Sequence, residues 1–147
     1  MSSPAQIVRV FGASSLIAIM TATGQAYGAE DATSVWQGVY TKAQAERGRA
    51  SYFAACASCH GAQLAGDTDA PDLAGNAFLK RWDNQSIAAL FSFVESRMPV
   101  GRPRSLGPVG YADVIAHILA SNGFPDGQKE LSADGSVLDK IKIDKPK

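Results

Sequence analysis

Two cysteines and a histidine fall within five consecutive positions, Cys56-Ala-Ser-Cys-His60. A cysteine pair followed directly by histidine is the spacing that attaches a c-type haem to a polypeptide. On one helical turn, Cys56 and Cys59 are three residues apart and His60 lies four beyond Cys56, so all three side chains can meet one porphyrin. The pentapeptide therefore predicts one covalent haem c, held by two thioether bonds and by the imidazole of His60 as an iron ligand.

Three other kinds of site use cysteine pairs, and each leaves something unexplained. A zinc site needs about four ligands, and outside the pentapeptide the chain offers only His117 and carboxylates. A thioredoxin-like pair is expected within a strand–helix unit, and no such pattern surrounds Cys56. A disulfide is common in exported proteins, but it gives the adjacent histidine no role. Haem attachment is favoured over these alternatives.

Met98, followed directly by Pro99, is the predicted second axial ligand. The other two methionines lie within the first 20 residues, so Met98 is the one methionine of the remaining chain. A Met/His ligand pair is typical of cytochromes c. His117 is the rival ligand, but it lies mid-helix, four residues after Asp113, whose carboxylate is placed to accept from its imidazole. A packing role is favoured for His117.

The first 29 residues have the pattern of an export signal. Arg9 precedes an apolar stretch over residues 10–20, and small residues follow as far as Ala29. The stretch is shorter than the roughly 20 apolar residues of a transmembrane helix. We expect residues 1–29 to be a signal peptide and residues 30–147 to form a periplasmic domain without a membrane span, with an uncleaved anchor as the alternative.

Length and charge limit the function of the exported part. The sequence holds 147 residues, with 14 Lys and Arg against 14 Asp and Glu. This balance gives no support to nucleic-acid binding. Without its leader the chain is long enough for one hydrophobic core and too short for two ordinary domains.

Capping signals and apolar periodicity predict an all-α domain. The first helix follows a Thr41 cap, with Gln44 as the second half of a capping box, and runs to Ala55. Gly48 lies in the middle of this helix, where glycine is unfavourable. Its presence there predicts the close approach of another helix.

Two further main helices and two connecting loops follow. Apolar residues three and four positions apart predict a helix over about 86–97, and a second such stripe predicts one over about 111–121 with Gly123 as its left-handed cap. Residues 61–81 are expected to be a loop that wraps one side of the haem, with a short turn near its end. Residues 100–110, rich in Gly and Pro, are expected to be a second loop.

The two flanking segments are predicted to behave differently. Residues 30–39 are expected to be a mobile N-terminus. The tail is expected to pack on the domain surface as an extension, with one short helix capped by Ser132 or Asp134 and with apolar residues at Leu131, Leu138, Ile141 and Ile143. No alternating pattern long enough for a strand is present.

Together these segments resemble the class I, monohaem cytochrome c family, most closely the exported cytochrome c domains associated with quinoprotein dehydrogenases. The likeness covers about residues 40–143. It is carried by the capped first helix with Gly48, the CASCH motif, Ala70-Pro-Asp-Leu-Ala-Gly75, Phe78-Leu-Lys-Arg-Trp82, Arg97-Met-Pro99 and the segment from Tyr111 to Pro125. The resemblance implies a small cytochrome c-type fold of three main helices plus loops around one covalent haem, with the first and last helices crossing at Gly48.

The resemblance also implies further haem contacts. The carbonyl of Pro71 is expected to accept the second N–H of His60, and Leu73 is expected to pack on the porphyrin. Trp82 either donates its indole N–H to a haem propionate or covers the haem edge. Cys56, Cys59, His60, Pro71, Leu73, Trp82 and Met98 are thus the predicted haem-binding residues.

The function implied is the transfer of single electrons, since two axial ligands leave iron no position for a substrate. The resemblance implies a quinoprotein dehydrogenase as donor and a terminal oxidase or another cytochrome as acceptor. Arg102 and Arg104 are either a docking patch for an acidic partner or two solvated charges. The alternative functions are a haem-based gas sensor or peroxidase with a labile sixth ligand, and a tightly bound electron-transfer subunit of one oxidoreductase.

Overall fold

The computed structural model describes residues 32–145, which are mostly helical. In chain order the elements are a 3-10 helix at Val35–Gln37, α1 at Lys42–Ala55, α2 at Ala57–His60, α3 at Gly75–Trp82, β1 at Gln85–Ser86, α4 at Ile87–Arg97, α5 at Gly107–Ser121, α6 at Gly135–Leu138 and β2 at Lys142–Ile143. The fold is that of a small cytochrome c, and α1, α4 and α5 are the three predicted main helices. Within the described range, no helix is both long and apolar enough to cross a membrane. The predicted signal peptide lies outside the described residues.

The core is built where α1 crosses α5 at Gly48. A Cβ atom at this position would lie 1.7 Å from the backbone oxygen of Asp113, so the two backbones can meet only because residue 48 is glycine. Most of α5 is buried, including Tyr111 and Ile115 with no exposed surface. The close helix approach predicted at Gly48 is confirmed.

The hydrogen bond predicted between Asp113 and His117 is wrong. The Asp113 carboxylate instead accepts two bonds of 3.1 Å from the guanidinium of Arg47 in α1. Two parallel charge-assisted bonds are stronger than one bond from a neutral imidazole. The ring of His117 packs against Tyr52 of α1, with the ring centroids 5.3 Å apart.

Of the capping box predicted for α1, the Thr41 half is present and the Gln44 half is not. The Thr41 hydroxyl accepts from the backbone N–H of Gln44 at 3.1 Å. The Gln44 side chain does not complete the capping box, because it is buried and pairs with Leu131. Its amide donates to the Leu131 carbonyl at 3.0 Å, and its oxygen accepts from the Leu131 N–H at 2.6 Å. Gln44 therefore ties the tail of the chain to α1.

Helix extends into both predicted loops. Where a short turn was expected, α3 forms two turns and buries Phe78 and Trp82, four residues apart on one face. α5 begins at Gly107, four residues before the predicted start at Tyr111. Pro108 is tolerated there because the first turn of a helix needs no N–H donor from it. Gly123 follows α5 with φ +79°, as its predicted left-handed cap requires.

Residues 32–39 pack on the domain, contrary to the mobility predicted for residues 30–39; residues 30 and 31 lie outside the described residues. Over residues 32–39, Val35 and Val39 are fully buried. The Ser34 hydroxyl donates to the Asp144 carboxylate at 2.6 Å, and the Trp36 indole donates to the Asp144 carbonyl at 2.9 Å. The two ends of the described chain therefore hold each other.

In the tail, the four apolar residues Leu131, Leu138, Ile141 and Ile143 are all buried. Asp134 caps α6 by accepting from the Ser136 N–H at 2.8 Å. β2 pairs antiparallel with β1, with Gln85 opposite Ile143. This two-stranded sheet was not predicted from the sequence, because strands of two residues leave no periodic pattern.

Candidate functional site

In the CASCH pentapeptide, Cys56 is the bend that joins α1 to α2, and the other four residues form α2. The Cys56 N–H donates to Tyr52 at the end of α1, and the Cys56 carbonyl accepts from the N–H groups of Cys59 and His60 at 3.2 and 3.0 Å. Cys56 is half-buried, Cys59 is exposed, and the two thiols are not joined in a disulfide. The pentapeptide therefore presents two separate thiols and the His60 imidazole from one short turn.

A cavity of about 580 Å³ lies beside this turn, a volume within the range of ligand and cofactor pockets. Its walls come from α1, α2, the loop after α2, α3, α4, the segment after α4, and α5. The structure brings all seven predicted site residues to this one cavity, namely Cys56, Cys59, His60, Pro71, Leu73, Trp82 and Met98.

His60 is held by the hydrogen bond that the resemblance implies. Its side chain is buried, and its Nδ1 lies 2.9 Å from the carbonyl oxygen of Pro71. Because a carbonyl only accepts, this contact assigns the ring proton to Nδ1 and leaves the lone pair of Nε2 for a metal ion. Such a bond also orients the ring and increases its basicity.

The loop that carries Pro71 and Leu73 is anchored by Asn122, a residue that the sequence reasoning missed. The Asn122 amide donates to the Leu73 carbonyl at 2.9 Å, and its oxygen accepts from the Gly75 N–H at 2.9 Å. Asn122 is the C-cap of α5. Its position beside Gly123 marks a helix end, but no local pattern shows that its side chain reaches this loop.

Met98 is the C-cap of α4, and its side chain lines the cavity. Its N–H donates to Val94 at 2.8 Å, and its carbonyl accepts from the Tyr111 hydroxyl at 2.7 Å. Because Tyr111 is fully buried in α5, it fixes the backbone from which the thioether projects. The sequence predicts Tyr111 as the start of a helix, but no pattern in it predicts this hydrogen bond.

Tyr52 is a further missed residue of the cavity wall. Its hydroxyl donates at 2.7 Å to the carbonyl of Gly61, directly after His60. Burial, with a contribution from Cys56, raises the pKa of Tyr52 to about 12. The phenol therefore remains a protonated donor at physiological pH and holds the end of α2 against α1.

The state of the cysteines argues against a redox-active pair. Burial, with a smaller contribution from Cys59, raises the pKa of the Cys56 thiol to about 11, whereas reactive redox cysteines have lowered pKa values. Within residues 32–145, no group of three or more His, Cys, Asp or Glu is arranged to hold a metal ion.

A sequence model of the family described as cytochrome c oxidase, cbb3-type, subunit III matches residues 43–118, more than half of the chain. The chain belongs to this cytochrome c family. The matched part of the cytochrome contains the pentapeptide, the Pro71 loop and Met98. Searches of curated proteins and of solved structures gave no match. Membership in the family makes this cytochrome a haem-based electron-transfer protein with redox protein partners.

The residues of the cavity fit a c-type haem. Two unpaired thiols are available for thioether bonds, and an imidazole with a free Nε2 lies beside them. The wall also carries a thioether at Met98 and apolar side chains such as Leu90 and Ile118. This donor set of one nitrogen and one sulfur is that of the His/Met cytochromes c.

Proposed function

We propose that this cytochrome is a periplasmic single-electron carrier with one covalently bound haem c, ligated by His60 and Met98. The observation that carries the proposal is the convergence of the two thiols, the imidazole and the thioether on one apolar cavity. When bound, haem supplies one-electron chemistry at an iron that alternates between the ferric and ferrous states.

The residues of the chain tune and protect this site. His60 is oriented by the Pro71 carbonyl, which makes its Nε2 a stronger donor. A methionine ligand raises the reduction potential, because a thioether stabilises ferrous over ferric iron. Leu73 and Phe93 line the cavity and reduce the access of water to it, which also disfavours the more highly charged ferric state.

The location and the partners are proposed from the sequence. The signal-like pattern of residues 1–29 supports export to the periplasm. The resemblance to exported domains supports a quinoprotein dehydrogenase as electron donor, and an oxidase or another cytochrome as acceptor. Gel filtration of the cytochrome from its native host distinguishes a diffusing carrier from a tightly bound subunit, which elutes with its oxidoreductase.

The first test is the haem content of the protein purified from a host that matures c-type cytochromes. We expect one haem per chain from the pyridine haemochrome spectrum, and a haem that stays with the polypeptide under denaturing conditions. Colourless protein with the mass of the bare polypeptide would contradict the proposal.

The second test is Met98→Ala. Loss of the thioether should open the sixth position, so that the reduced variant binds carbon monoxide rapidly while the unmodified protein resists it. Val100→Ala is the matched control, since Val100 also lines the cavity but is 81% exposed and has no metal-binding group. Rapid carbon monoxide binding by the unmodified protein would favour the gas-sensor or peroxidase alternative.

A further inference from the structure

Charged residues line the cavity in two separate groups. Asp69 and Asp72 belong to the loop between α2 and α3. Arg81 lies in the last turn of α3, and Arg102 lies in the segment after α4. The wall of the cavity is therefore acidic on the loop between α2 and α3, and basic at the end of α3 and in the segment after α4.

Arg81 is held in place by aromatic rings and not by an acid. Its guanidinium carbon lies 4.7 Å from the ring centre of Phe93 and 5.6 Å from that of Trp82. The ion pairs within residues 32–145 join Arg47 to Asp113, Arg47 to Glu130, and Lys145 to Asp83. Neither Arg81 nor Arg102 is among them, so the N–H donors of both guanidinium groups remain available to a carboxylate.

A c-type haem brings two carboxylates to any cavity that binds it. Its vinyl groups, which form the thioether bonds, and its propionates lie on opposite edges of the porphyrin. A carboxylate removed from water needs a cation or several hydrogen-bond donors, and arginine supplies two parallel donors together with a charge. The Asp69 and Asp72 carboxylates would repel the propionates, whereas the basic part of the wall would attract them.

We infer that the guanidinium of Arg81, assisted by Arg102, binds the carboxylates of the haem propionates. This inference rests on the proposed haem binding and adds the residues that receive the far edge of the cofactor. The stacking of Arg81 on Phe93 and Trp82 restricts its side chain before the carboxylate arrives. Arg81 is thus a cofactor-binding residue that the sequence reasoning did not select.

A guanidinium beside the propionates changes how the reduction potential depends on pH. A guanidinium beside a carboxylate lowers its pKa by about 1 to 3 units, so Arg81 should keep the propionates ionised at neutral pH. Arg102 acts in the same direction, and Arg97, which also lies over Phe93, adds a weaker field. The carboxylates of Asp69 and Asp72 act in the opposite direction on the pKa of the propionates. Reduction of iron adds one negative charge, so a propionate that takes up a proton makes the reduction potential depend on pH.

The test is the reduction potential of holo-Arg81→Gln, measured by spectroelectrochemistry from pH 5 to pH 9. At high pH the potential should fall, because the variant loses a positive charge near ferrous iron. The pH at which the potential begins to change should rise by about 1 to 3 units, because the propionate loses its cation. Arg81→Lys keeps the charge and should recover most of the potential at high pH.

Arg97→Gln is the matched control. The Arg97 guanidinium lies 5.0 Å from the centre of the same Phe93 ring but does not line the cavity. Its loss should shift both the potential and the pH profile much less than the loss of Arg81 does. An Arg97→Gln profile that matches that of Arg81→Gln would overturn the inference, because it would show only a general effect of charge.

Haem content separates this inference from the proposed function. If Arg81→Gln carries one haem per chain and keeps the unmodified potential and pH profile, the inference is wrong while haem binding stands. If the unmodified protein carries no haem, the proposed function itself fails. Should Arg81→Gln not accumulate, the exposed Arg102→Gln replaces it: a smaller shift of the same sign supports the inference, and an unchanged profile overturns it.

Discussion

His117 carries the one buried side-chain nitrogen or oxygen that lacks a hydrogen-bond partner within residues 32–145, its Nε2. Burial lowers the pKa of this imidazole, and the positive charge of Arg49 lowers it further. In the folded protein the ring is therefore neutral where an exposed histidine would be partly protonated. A buried polar atom without a partner is unfavourable by about 1 to 3 kcal/mol, which identifies His117 as a weak point of the α1–α5 interface.

His117→Phe is predicted to make the cytochrome more stable in acid. The unfolded chain takes up a proton near the ordinary pKa of 6.5, and the folded chain does so only at lower pH. The contribution of His117 to stability is therefore complete above pH 6.5 and falls as the pH drops from there towards the folded pKa. The phenyl ring keeps the packing against Tyr52 and removes the titration.

We expect the unfolding free energy of His117→Phe to exceed that of the unmodified protein by more at pH 5.5 than at pH 8. Guanidinium chloride titrations of the holoprotein at pH 5.5 and pH 8 measure the difference. Arg49→Gln is the control, because it keeps the imidazole and removes the second cause of its lowered pKa, and so should weaken the pH dependence. An equal gain at both pH values for His117→Phe would show that the imidazole does not titrate as described.

The crossing of α1 and α5 is the contact between elements on which the core depends. Gly48→Ala should therefore be strongly destabilising, because the new Cβ would lie 1.7 Å from the Asp113 backbone oxygen and the helices would have to separate. Overpacking of this kind commonly costs about 1 to 3 kcal/mol, and a backbone clash should reach the upper end. Thermal unfolding measures the loss, with Gly135→Ala as control, since no atom lies within 4 Å of a Cβ there.

A second long-range contact joins α1 to the tail through the side chain of Gln44. Gln44→Ala should leave the buried N–H and carbonyl of Leu131 without partners, at a cost of about 2 kcal/mol. Gln63→Ala is the control, because Gln63 is exposed in the loop after α2. Denaturant unfolding compares the two variants, and equal stabilities would mean that water replaces the amide at Leu131.

Helix positions were predictable where their signals are local. The Thr41 cap, the approach at Gly48 and the turn at Gly123 each follow from the conformation that one residue favours. The partners of Asp113 and Gln44 were not predictable, because each lies more than 60 positions away along the chain. Local spacing offered both residues a nearer partner, and tertiary packing supplied a stronger one.

In the candidate site, too, local motifs were predictable and contacts between distant segments were not. The pentapeptide marks its own chemistry, and the resemblance led to Pro71, Leu73, Trp82 and Met98, all of which line the cavity. Tyr52, Tyr111 and Asn122 were missed because their side chains act on backbone carbonyls of distant segments. Such a role depends on the assembled fold and leaves no motif in the sequence.

At the scale of the whole molecule, the two ends of the described chain pack against each other and support α4, the helix that ends directly before Met98. β2 pairs with β1, which directly precedes α4, and α6 packs against α4. The Ile87 N–H donates to the Ile141 carbonyl at 2.9 Å, and the Asn84 N–H donates to the Ile143 carbonyl at 2.7 Å. The start of α4 is thus held by the tail, while its last residue is followed by the proposed iron ligand.

Deletion of residues 140–147 should therefore weaken both the fold and the proposed iron–sulfur bond. Ile141 and Ile143 are fully buried, and their loss should lower the unfolding free energy by about 3 kcal/mol or more. A less firmly held α4 should also let the reduced protein bind carbon monoxide faster. Lys145→Ala is the control, since it removes only the partly exposed pair with Asp83, worth about 0 to 1 kcal/mol. A truncated protein that is less stable but resists carbon monoxide as before would show that the position of Met98 depends on Tyr111 and not on the tail.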